Sequence, residues 1–233
     1  MKQNIGNLII EVTRDCNLEC EHCLRGDKQK MDMCEEYVTS MFSQLERINV
    51  LTLTGGEPAL RIYKIKMILE KAKEYNVEIG NFYMATNGTV QSMEFIKTLI
   101  DLYEYCDDNE ITNVVISNDC MHQDEEAIYE NKLKVLRFVN DKYKEFIYDP
   151  FKINIINEGY GANWNGKDFK YIKLDMYDNK DDFLNDANFY LNCKGNVLLN
   201  CDFSYESQDD PELIFCKVND FSEKINEVEY EDT

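Results

Sequence analysis

The stretch Asp15-Cys16-Asn17-Leu18-Glu19-Cys20-Glu21-His22-Cys23 places three cysteines on one short segment with the spacing C-x3-C-x2-C. Three thiolates arranged in this way can hold three irons of a [4Fe–4S] cube and leave the fourth iron without a protein ligand. A small molecule can bind and be reduced at such an iron. A zinc site and scattered structural thiols remain alternatives, because Cys20 and Cys23 form a C-x2-C pair around His22, although His122 is distant.

A second motif, Thr54-Gly55-Gly56-Glu57-Pro58, follows a short apolar run over residues 50–53 that is typical of a buried strand. Two glycines at the end of a strand allow the backbone to come close to a ligand. The carboxylate of Glu57 can accept hydrogen bonds from an ammonium group. An ordinary strand-to-helix turn would explain the same residues, but the position shortly after the cysteine loop favours a ligand site.

A third segment, Ala85-Thr86-Asn87-Gly88, follows a strand-like run over residues 79–84, although an Asn-Gly pair often marks only a turn. Together the three segments resemble the radical S-adenosylmethionine (SAM) superfamily. The resemblance covers approximately residues 7–175 and is most specific at the cysteine loop. It implies that the amino and carboxylate groups of SAM chelate the open iron, and that an electron from the cluster cleaves the sulfonium to release a 5′-deoxyadenosyl radical.

The resemblance also assigns roles to individual residues. It makes Cys16, Cys20 and Cys23 the ligands of the [4Fe–4S] cluster. Residues expected to contact SAM are His22 at the adenine, Gly55, Gly56 and Glu57 at the amino group, and Thr86, Asn87, Ser117 and Asn118 at neighbouring strand ends. For His22, a polar surface residue or a metal ligand is the alternative interpretation.

Hydrophobic periodicity predicts an alternation of strands and helices, which is typical of a parallel sheet. The predicted strands cover residues 8–13, 50–53, 79–85, 114–116, 153–156 and 171–174, and the predicted helices cover residues 32–48, 62–75, 93–105 and 125–143. The fold class is therefore α/β. The resemblance implies a partial, open (β/α)6 TIM-like barrel over residues 1–177, with a short C-terminal extension over residues 178–233 that contains a β-hairpin.

Sites in such sheets lie at the C-terminal ends of the strands. This rule nominates the residues after the fourth strand, where Asp119 can equally be a helix cap. Cys120 is a candidate catalytic hydrogen-atom donor, and simple packing is the alternative. Residues 157–166 form a predicted loop over the site, in which Trp164 either covers a substrate or pins a surface loop.

The C-terminal part contains the segment Cys193-Lys194-Gly195-Asn196 between two apolar runs, which predicts a hairpin. Cys193, Cys201 and Cys216 are either ligands of an auxiliary cluster or, because their spacing is unlike that of longer auxiliary domains, parts of a truncated cap.

Composition limits the function classes. Nine cysteines without an apparent signal peptide favour a reducing, cytoplasmic setting, and no apolar run approaches the length of a membrane helix. The net charge of −20 disfavours nucleic acid as a substrate. It serves solubility or, alternatively, attracts a basic peptide or protein.

The pattern therefore predicts a radical SAM enzyme that abstracts hydrogen from a peptide, a protein or a small metabolite. A reducing partner such as flavodoxin or ferredoxin is expected. The alternative is a non-enzymatic iron–sulfur electron carrier or sensor. The motif from Gly55 to Pro58 argues against that alternative, because a carrier needs no cradle for an amino acid. The sequence leaves open whether SAM is consumed or regenerated, and the oligomeric state.

Overall fold

The computed structural model describes residues 2–90, 92–108, 114–117, 147–148, 159–160, 177 and 179–228. The strands within these ranges are β1 (Gln3–Thr13), β2 (Leu45–Gly55), β3 (Glu78–Thr86), β4 (Val114–Ile116), β5 (Ile147–Tyr148), β6 (Asn188–Leu191), β7 (Asn196–Leu198) and β8 (Ile214–Lys217). The α-helices are α1 (Glu35–Ser43), α2 (Ile62–Tyr75), α3 (Met93–Tyr105), α4 (Lys180–Asp186) and α5 (Phe221–Glu227). Short 3-10 turns follow β2 and flank β8.

These strands form one sheet in the order β5-β4-β3-β2-β1-β6-β7-β8. The pairs from β5 to β6 are parallel, and β7 and β8 are added in antiparallel orientation. The predicted α/β class with a mostly parallel sheet is confirmed. Parallel strands covered by helices on one face place their carboxyl ends at a common edge, which is where ligands of such sheets bind.

Strand β1 lies inside the sheet because apolar residues occupy both of its faces. Leu8, Ile10 and Val12 join the large core that packs beneath α1, α2 and α3, whereas Ile9 joins a smaller cluster with Tyr190, Leu198 and Phe203 on the other face. Continuous burial is typical of central parallel strands. The chain leaves this strand at Thr13, directly before the cysteine loop.

Several predicted elements match the structure. Helices α2 and α3 and strand β4 have the predicted bounds, while β1, β2 and β3 are longer than predicted. The predicted helix over residues 32–48 is wrong at both ends, because α1 starts at Glu35 and Leu45 already belongs to β2. Asp32 does not cap this helix; its carboxylate accepts hydrogen bonds from Thr13 and Arg61. The predicted strands over residues 153–156 and 171–174 and the helix over 125–143 lie outside the described residues.

The predicted C-terminal hairpin is confirmed. Tyr190 pairs with Leu198 and Leu191 with Val197 in antiparallel register. Its first strand, β6, also pairs in parallel with β1, with Asn7 opposite Asn188. The domain boundary after residue 177 stays a prediction, but the sheet continues across it. No helix in the described part of the chain is both long enough and apolar enough to cross a bilayer.

Candidate functional site

The cysteine loop follows β1 and curls into tight turns. The amide of Cys23 donates to the carbonyl of Cys20 at 3.1 Å, and the amide of Gly26 donates to the carbonyl of Cys23 at 3.3 Å. Cys16, Cys20 and Cys23 line one cavity of about 640 Å³, together with Gly55 and Gly56. This volume lies within the range of small-molecule and cofactor sites. The structure thus brings the first two sequence motifs to one place.

The two glycines are required by backbone packing. A Cβ atom on Gly55 would lie 2.1 Å from the carbonyl oxygen of Thr13, and one on Gly56 would lie 2.2 Å from that of Asp15. The backbone of Gly55 also has a φ of +146°, which side chains rarely adopt. The amides of Gly56 and Glu57 donate to these same carbonyls at 2.7 and 2.8 Å. Glycine here lets the end of β2 lie directly against the start of the cysteine loop.

Glu57 is buried, and its carboxylate holds two motifs together. Oε1 accepts hydrogen bonds from the hydroxyl of Thr86 at 2.6 Å and from the amide of Ala59 at 3.0 Å. Oε2 accepts from the amide of Asn87 at 2.6 Å. Contact of Glu57 with the SAM amino group stays a prediction. The observed bonds show that the residue also connects the segment after β2 to the end of β3.

Asn87 continues this network to the cysteine loop. Its Nδ2 donates to Oδ1 of Asn17 at 3.0 Å and lies 4.0 Å from Sγ of Cys16. Its Oδ1 accepts from the amide and the hydroxyl of Thr89 at 3.0 and 2.7 Å. The Thr86-Asn87 segment is therefore joined by hydrogen bonds to both other motifs.

For the remaining predicted site residues that it describes, the structure shows no contact with the cavity. The amide of Ser117 donates to the carbonyl of Thr86 at 2.8 Å, so Ser117 lies at the same sheet edge. His22 is half-buried and is not among the residues that line the cavity. Adenine packing by His22 thus stays a prediction. Asn118, Asp119, Cys120 and Trp164 lie outside the described residues. Of the predicted loop over residues 157–166, the described residue Tyr160 borders the cavity and donates its amide to the carbonyl of Cys23 at 2.8 Å.

A second wall of the cavity was missed by sequence reasoning. Arg14 and Arg25 flank the cysteine loop, line the cavity and are both buried. Arg14 donates from Nη2 to Oε1 of Gln208 at 2.7 Å, and Arg25 donates from Nη1 to the carbonyls of Cys201 and Phe203 at 2.7 and 2.6 Å. The only signal in the sequence was an arginine two residues outside each end of the cysteine triad in a strongly acidic chain.

Tyr205 from the C-terminal segment completes this wall. The residue lines the cavity, and its ring lies beneath the guanidinium of Arg14, 4.7 Å from ring centroid to Cζ. Its hydroxyl is buried and has no hydrogen-bond partner among the described residues. Burial and the nearby Glu11 carboxylate hold the pKa of Tyr205 above its ordinary value, so the hydroxyl keeps its proton. A buried donor without a partner is unusual in a protein, and here the hydroxyl belongs to a residue that lines the cavity.

The donor set of the cavity fits an iron–sulfur cube better than a single metal ion. Within the described ranges, no three His, Cys, Asp or Glu side chains converge closely enough to hold one ion. A cube is ligated at its corners, so its thiolates stand farther apart than the ligands of one ion. Thiolates are the ligands that select such clusters. Burial raises the pKa of the Cys16 thiol, so that metal binding there displaces a proton.

The three C-terminal cysteines do not form a comparable set. Cys193 and Cys216 pack against the large core, whereas Cys201 packs against the smaller cluster on the other face of the sheet. The thiol of Cys193 donates to the carbonyl of Glu11 at 3.1 Å. Burial raises the pKa of Cys201 to about 11 and that of Cys216 to about 12, so both are protonated thiols at neutral pH. This arrangement favours the truncated cap over an auxiliary cluster.

Comparisons with known proteins identify the family and the fold of this chain. A sequence model of the Radical SAM superfamily matches residues 10–144, which is more than half of the chain. The "Probable GTP 3′,8-cyclase" of Pyrococcus horikoshii is 33% identical over 89 residues, a match that covers 36% of this chain and 27% of that relative. The protein of the same name from Pyrococcus abyssi is 33% identical over 90 residues, which cover 36% of this chain and 28% of the relative. The matched segments thus span less than a third of these relatives.

A solved structure, described as native anSMEcpe with bound AdoMet and Cp18Cys peptide, resembles this fold over 97% of this chain and 81% of its own. The TM-score is 0.58 and the sequence identity is 17%. At this identity the likeness shows the fold alone. It extends over the C-terminal segment, which lies beyond the residues matched by the family model.

Proposed function

The chain belongs to the radical SAM superfamily, which implies a [4Fe–4S] cluster and SAM as cofactors, and we propose that it is an enzyme that binds both in the cavity beside its cysteine loop. One observation carries this proposal: Cys16, Cys20 and Cys23 border a single cavity with Gly55 and Gly56. When bound, the cluster and SAM supply a 5′-deoxyadenosyl radical that abstracts hydrogen from the substrate.

In this proposal, residues of the chain ligate the cluster and position the SAM site. The three thiols ligate iron, and Gly55 and Gly56 keep the end of β2 against the loop that carries those thiols. The carboxylate of Glu57 fixes the ends of β2 and β3 relative to each other through Thr86 and Asn87, so that backbone groups of both strands border the SAM site. Preorganised polar groups of this kind reduce the cost of orienting a ligand.

A peptide or a protein is the substrate class that we favour. The structurally similar anSMEcpe was crystallised with a peptide, and the likeness extends over nearly the whole of this chain. The net charge of −20 also favours a basic peptide over an anionic nucleotide. A reducing partner such as flavodoxin or ferredoxin would deliver the electron. Cys120 lies outside the described residues and remains a candidate hydrogen-atom donor because it follows the residues of β4 in the sequence.

The alternative of a non-enzymatic iron–sulfur carrier or sensor gains no support from the site. A carrier needs a buried cluster with complete protein ligation. Here three thiols share a cavity with Gly55 and Gly56 at the end of β2, and the hydrogen bonds of Glu57 hold the next residue in place. Such an arrangement is suited to a small molecule at the fourth iron.

Replacement of Cys16, Cys20 and Cys23 by alanine tests the cluster assignment. After anaerobic reconstitution, we expect the wild type to bind four irons and the triple variant to lose the cluster absorbance and the EPR signal of the reduced state. A matched control replaces Cys34, Cys106 and Cys216, which removes the same number of thiols away from the cavity and should keep the iron. A full iron complement in the first variant would contradict the ligand assignment.

Binding and cleavage of SAM can be tested by EPR spectroscopy and by release of 5′-deoxyadenosine. Addition of SAM to the reduced wild type should change the EPR spectrum and should release 5′-deoxyadenosine slowly even without substrate. A carrier or sensor would instead show a cluster whose EPR spectrum does not respond to SAM. That result would favour the alternative and would leave the cysteine assignment intact.

A further inference from the structure

Arg25 is a buried cation without an anionic partner. Its side chain is only 7% exposed. The hydrogen bonds of the guanidinium go to two backbone carbonyls, of Cys201 and Phe203, and its Cζ lies 5.1 Å from the ring centroid of Tyr190. No carboxylate among the described residues forms an ion pair with it, although the residue borders the cavity that contains the three thiols.

The neighbouring cations of the cavity are neutralised. Nε of Arg14 lies 2.8 Å from Oε2 of Glu11, and both side chains are fully buried. Lys28 pairs with Glu19 at 2.9 Å near the solvent. Glu11 is already bound by Arg14, by the hydroxyl of Tyr190 and by the amide of Cys193. Glu11 is therefore the buried carboxylate beside two buried guanidinium groups, and the buried part of this wall keeps an excess positive charge. The carboxylates of Glu19, Glu21 and Asp27 also line the cavity but are exposed to solvent.

An uncompensated buried charge is costly, and buried charges in proteins are paired or face a bound ion. A guanidinium group stays protonated in proteins, so Arg25 keeps its positive charge in this buried position. A [4Fe–4S] core with three thiolates carries net negative charge, and one-electron reduction increases it. The cavity beside Arg25 is the place where that charge would be held.

We propose that Arg25 is the counter-cation of the cluster and raises its reduction potential by stabilising the more negative, reduced state. This inference rests on the proposed function. Arg25 acts here as a tuning residue, because reduction potentials of iron–sulfur clusters depend on the net charge and burial around them. Because charges in a protein interior are screened less than in water, a unit charge that borders the same cavity is enough to change this equilibrium about tenfold.

The C-terminal segment fixes the position of this charge. The carbonyls of Cys201 and Phe203 hold the guanidinium, and the amide of Tyr205 donates to the backbone carbonyl of Arg25 at 3.1 Å. This segment lies beyond the residues that the family model matches. The electrostatics of the site would therefore be set by a part of the chain that carries none of the family's motifs.

The test is a redox titration of the reconstituted protein, followed by EPR in the absence of SAM. For Arg25→Gln, which removes the charge and keeps an amide donor, we expect at least a tenfold drop in the equilibrium constant for reduction. For a one-electron couple this is a shift of about 59 mV to lower potential. Arg25→Lys should retain most of the wild-type potential. Lys30→Gln is the matched control, because it removes one charge from an exposed side chain that does not line the cavity and should change the potential little.

The possible results distinguish the role of Arg25 from the proposed function of the protein. An Arg25→Gln protein with full iron and the wild-type potential overturns the inference, as does a variant that loses only SAM affinity, since the guanidinium would then serve SAM. Arg25→Met, which preserves packing on Tyr190, replaces Arg25→Gln if the Arg25→Gln protein does not bind the cluster.

If neither neutral variant binds iron but Arg25→Lys does, the positive charge is required to hold the cluster, in agreement with the inference. If Arg25→Lys also fails to bind iron, Arg25 has a structural role and the inference is wrong. A wild type that binds no cluster contradicts the proposed function itself.

Discussion

At the scale of single residues, the carboxylate of Glu57 joins the ends of β2 and β3. It accepts hydrogen bonds from three donors of the chain, in Ala59, Thr86 and Asn87. Two of them come from Thr86 and Asn87, about thirty residues further along. Contacts of this kind depend on how strands are ordered in the sheet, so they are not visible in a linear pattern. The cysteine triad was visible because its three members are close in sequence.

The buried hydroxyl of Tyr205 leads to a residue-scale prediction about the iron-free protein. Tyr205→Phe removes a hydroxyl that makes no hydrogen bond to the described residues, so the free energy of unfolding should stay the same or rise. Tyr190→Phe is the control. Its hydroxyl donates to Oε1 of Glu11 at 2.7 Å, and its removal should lower the free energy of unfolding by about 1–3 kcal/mol. Urea unfolding measures both.

The two variants differ in whether the removed hydroxyl makes a hydrogen bond to the described residues. Equal losses of stability in the two variants would mean that the Tyr205 hydroxyl has a partner, and the interpretation of its side chain as part of a ligand-receiving wall would be wrong. An iron-free Tyr205→Phe protein as stable as the wild type would agree with that interpretation.

At the scale of elements, local patterns predicted what local forces determine. Helix α2 has the predicted bounds because its apolar stripe, with Ile65, Leu69 and Ala72 buried, is complete within the helix itself. Helix α1 was predicted too long at both ends. Leu45 and Ile48 fit the helical stripe, yet they are buried as members of β2, and Asp32 binds Arg61 and Thr13 instead of capping the helix. Strand pairing and an ion pair from distant parts of the chain overrode the periodicity.

Gly56→Ala tests the contact between β2 and the cysteine loop. The added Cβ would lie 2.2 Å from the carbonyl oxygen of Asp15, which is a backbone atom and cannot move aside alone. We expect a loss of about 3 kcal/mol or more in the free energy of unfolding, with weaker cluster binding, because the loop that carries the thiols must shift. Thr54→Ala, two positions earlier in β2, is the control and should bind iron normally.

Differential scanning calorimetry and iron analysis after reconstitution provide the two readings for Gly56→Ala. A variant that keeps both the wild-type melting temperature and four irons would show that the two strand ends need not approach as closely as the structure indicates. The glycine pair would then have no packing role.

At the scale of the whole molecule, the least predictable feature is the position of the C-terminal segment. The hairpin over β6 and β7 was predicted from its turn, but its parallel pairing with β1 joins Asn7 to Asn188, and no local signal specifies that partner. The same pairing brings Gln208 and Tyr205 to the cysteine loop. The sequence thus predicted the part of the site formed by the cysteine loop and the end of β2. It did not predict the part formed by the C-terminal segment, because that part depends on strand pairing between distant residues.

Gln208 couples the cysteine loop to the C-terminal hairpin. Gln208 is fully buried and accepts from Nη2 of Arg14 at 2.7 Å, while its Nε2 lies 3.3 Å from both the Tyr190 hydroxyl and the carbonyl of Phe203. Gln208→Ala removes the acceptor of Arg14 Nη2 and two longer contacts from this buried network, so we expect a loss of about 1–3 kcal/mol in the free energy of unfolding. Because the bonds join the cysteine loop to the hairpin, amide hydrogen exchange should become faster in both segments. Lys194→Ala breaks the exposed ion pair with Asp209 in the same region and should leave exchange at the cysteine loop unchanged. If exchange in Gln208→Ala increased only in the hairpin, the loop would be held by its own half of the site, and the C-terminal segment would not support the position of the three thiols.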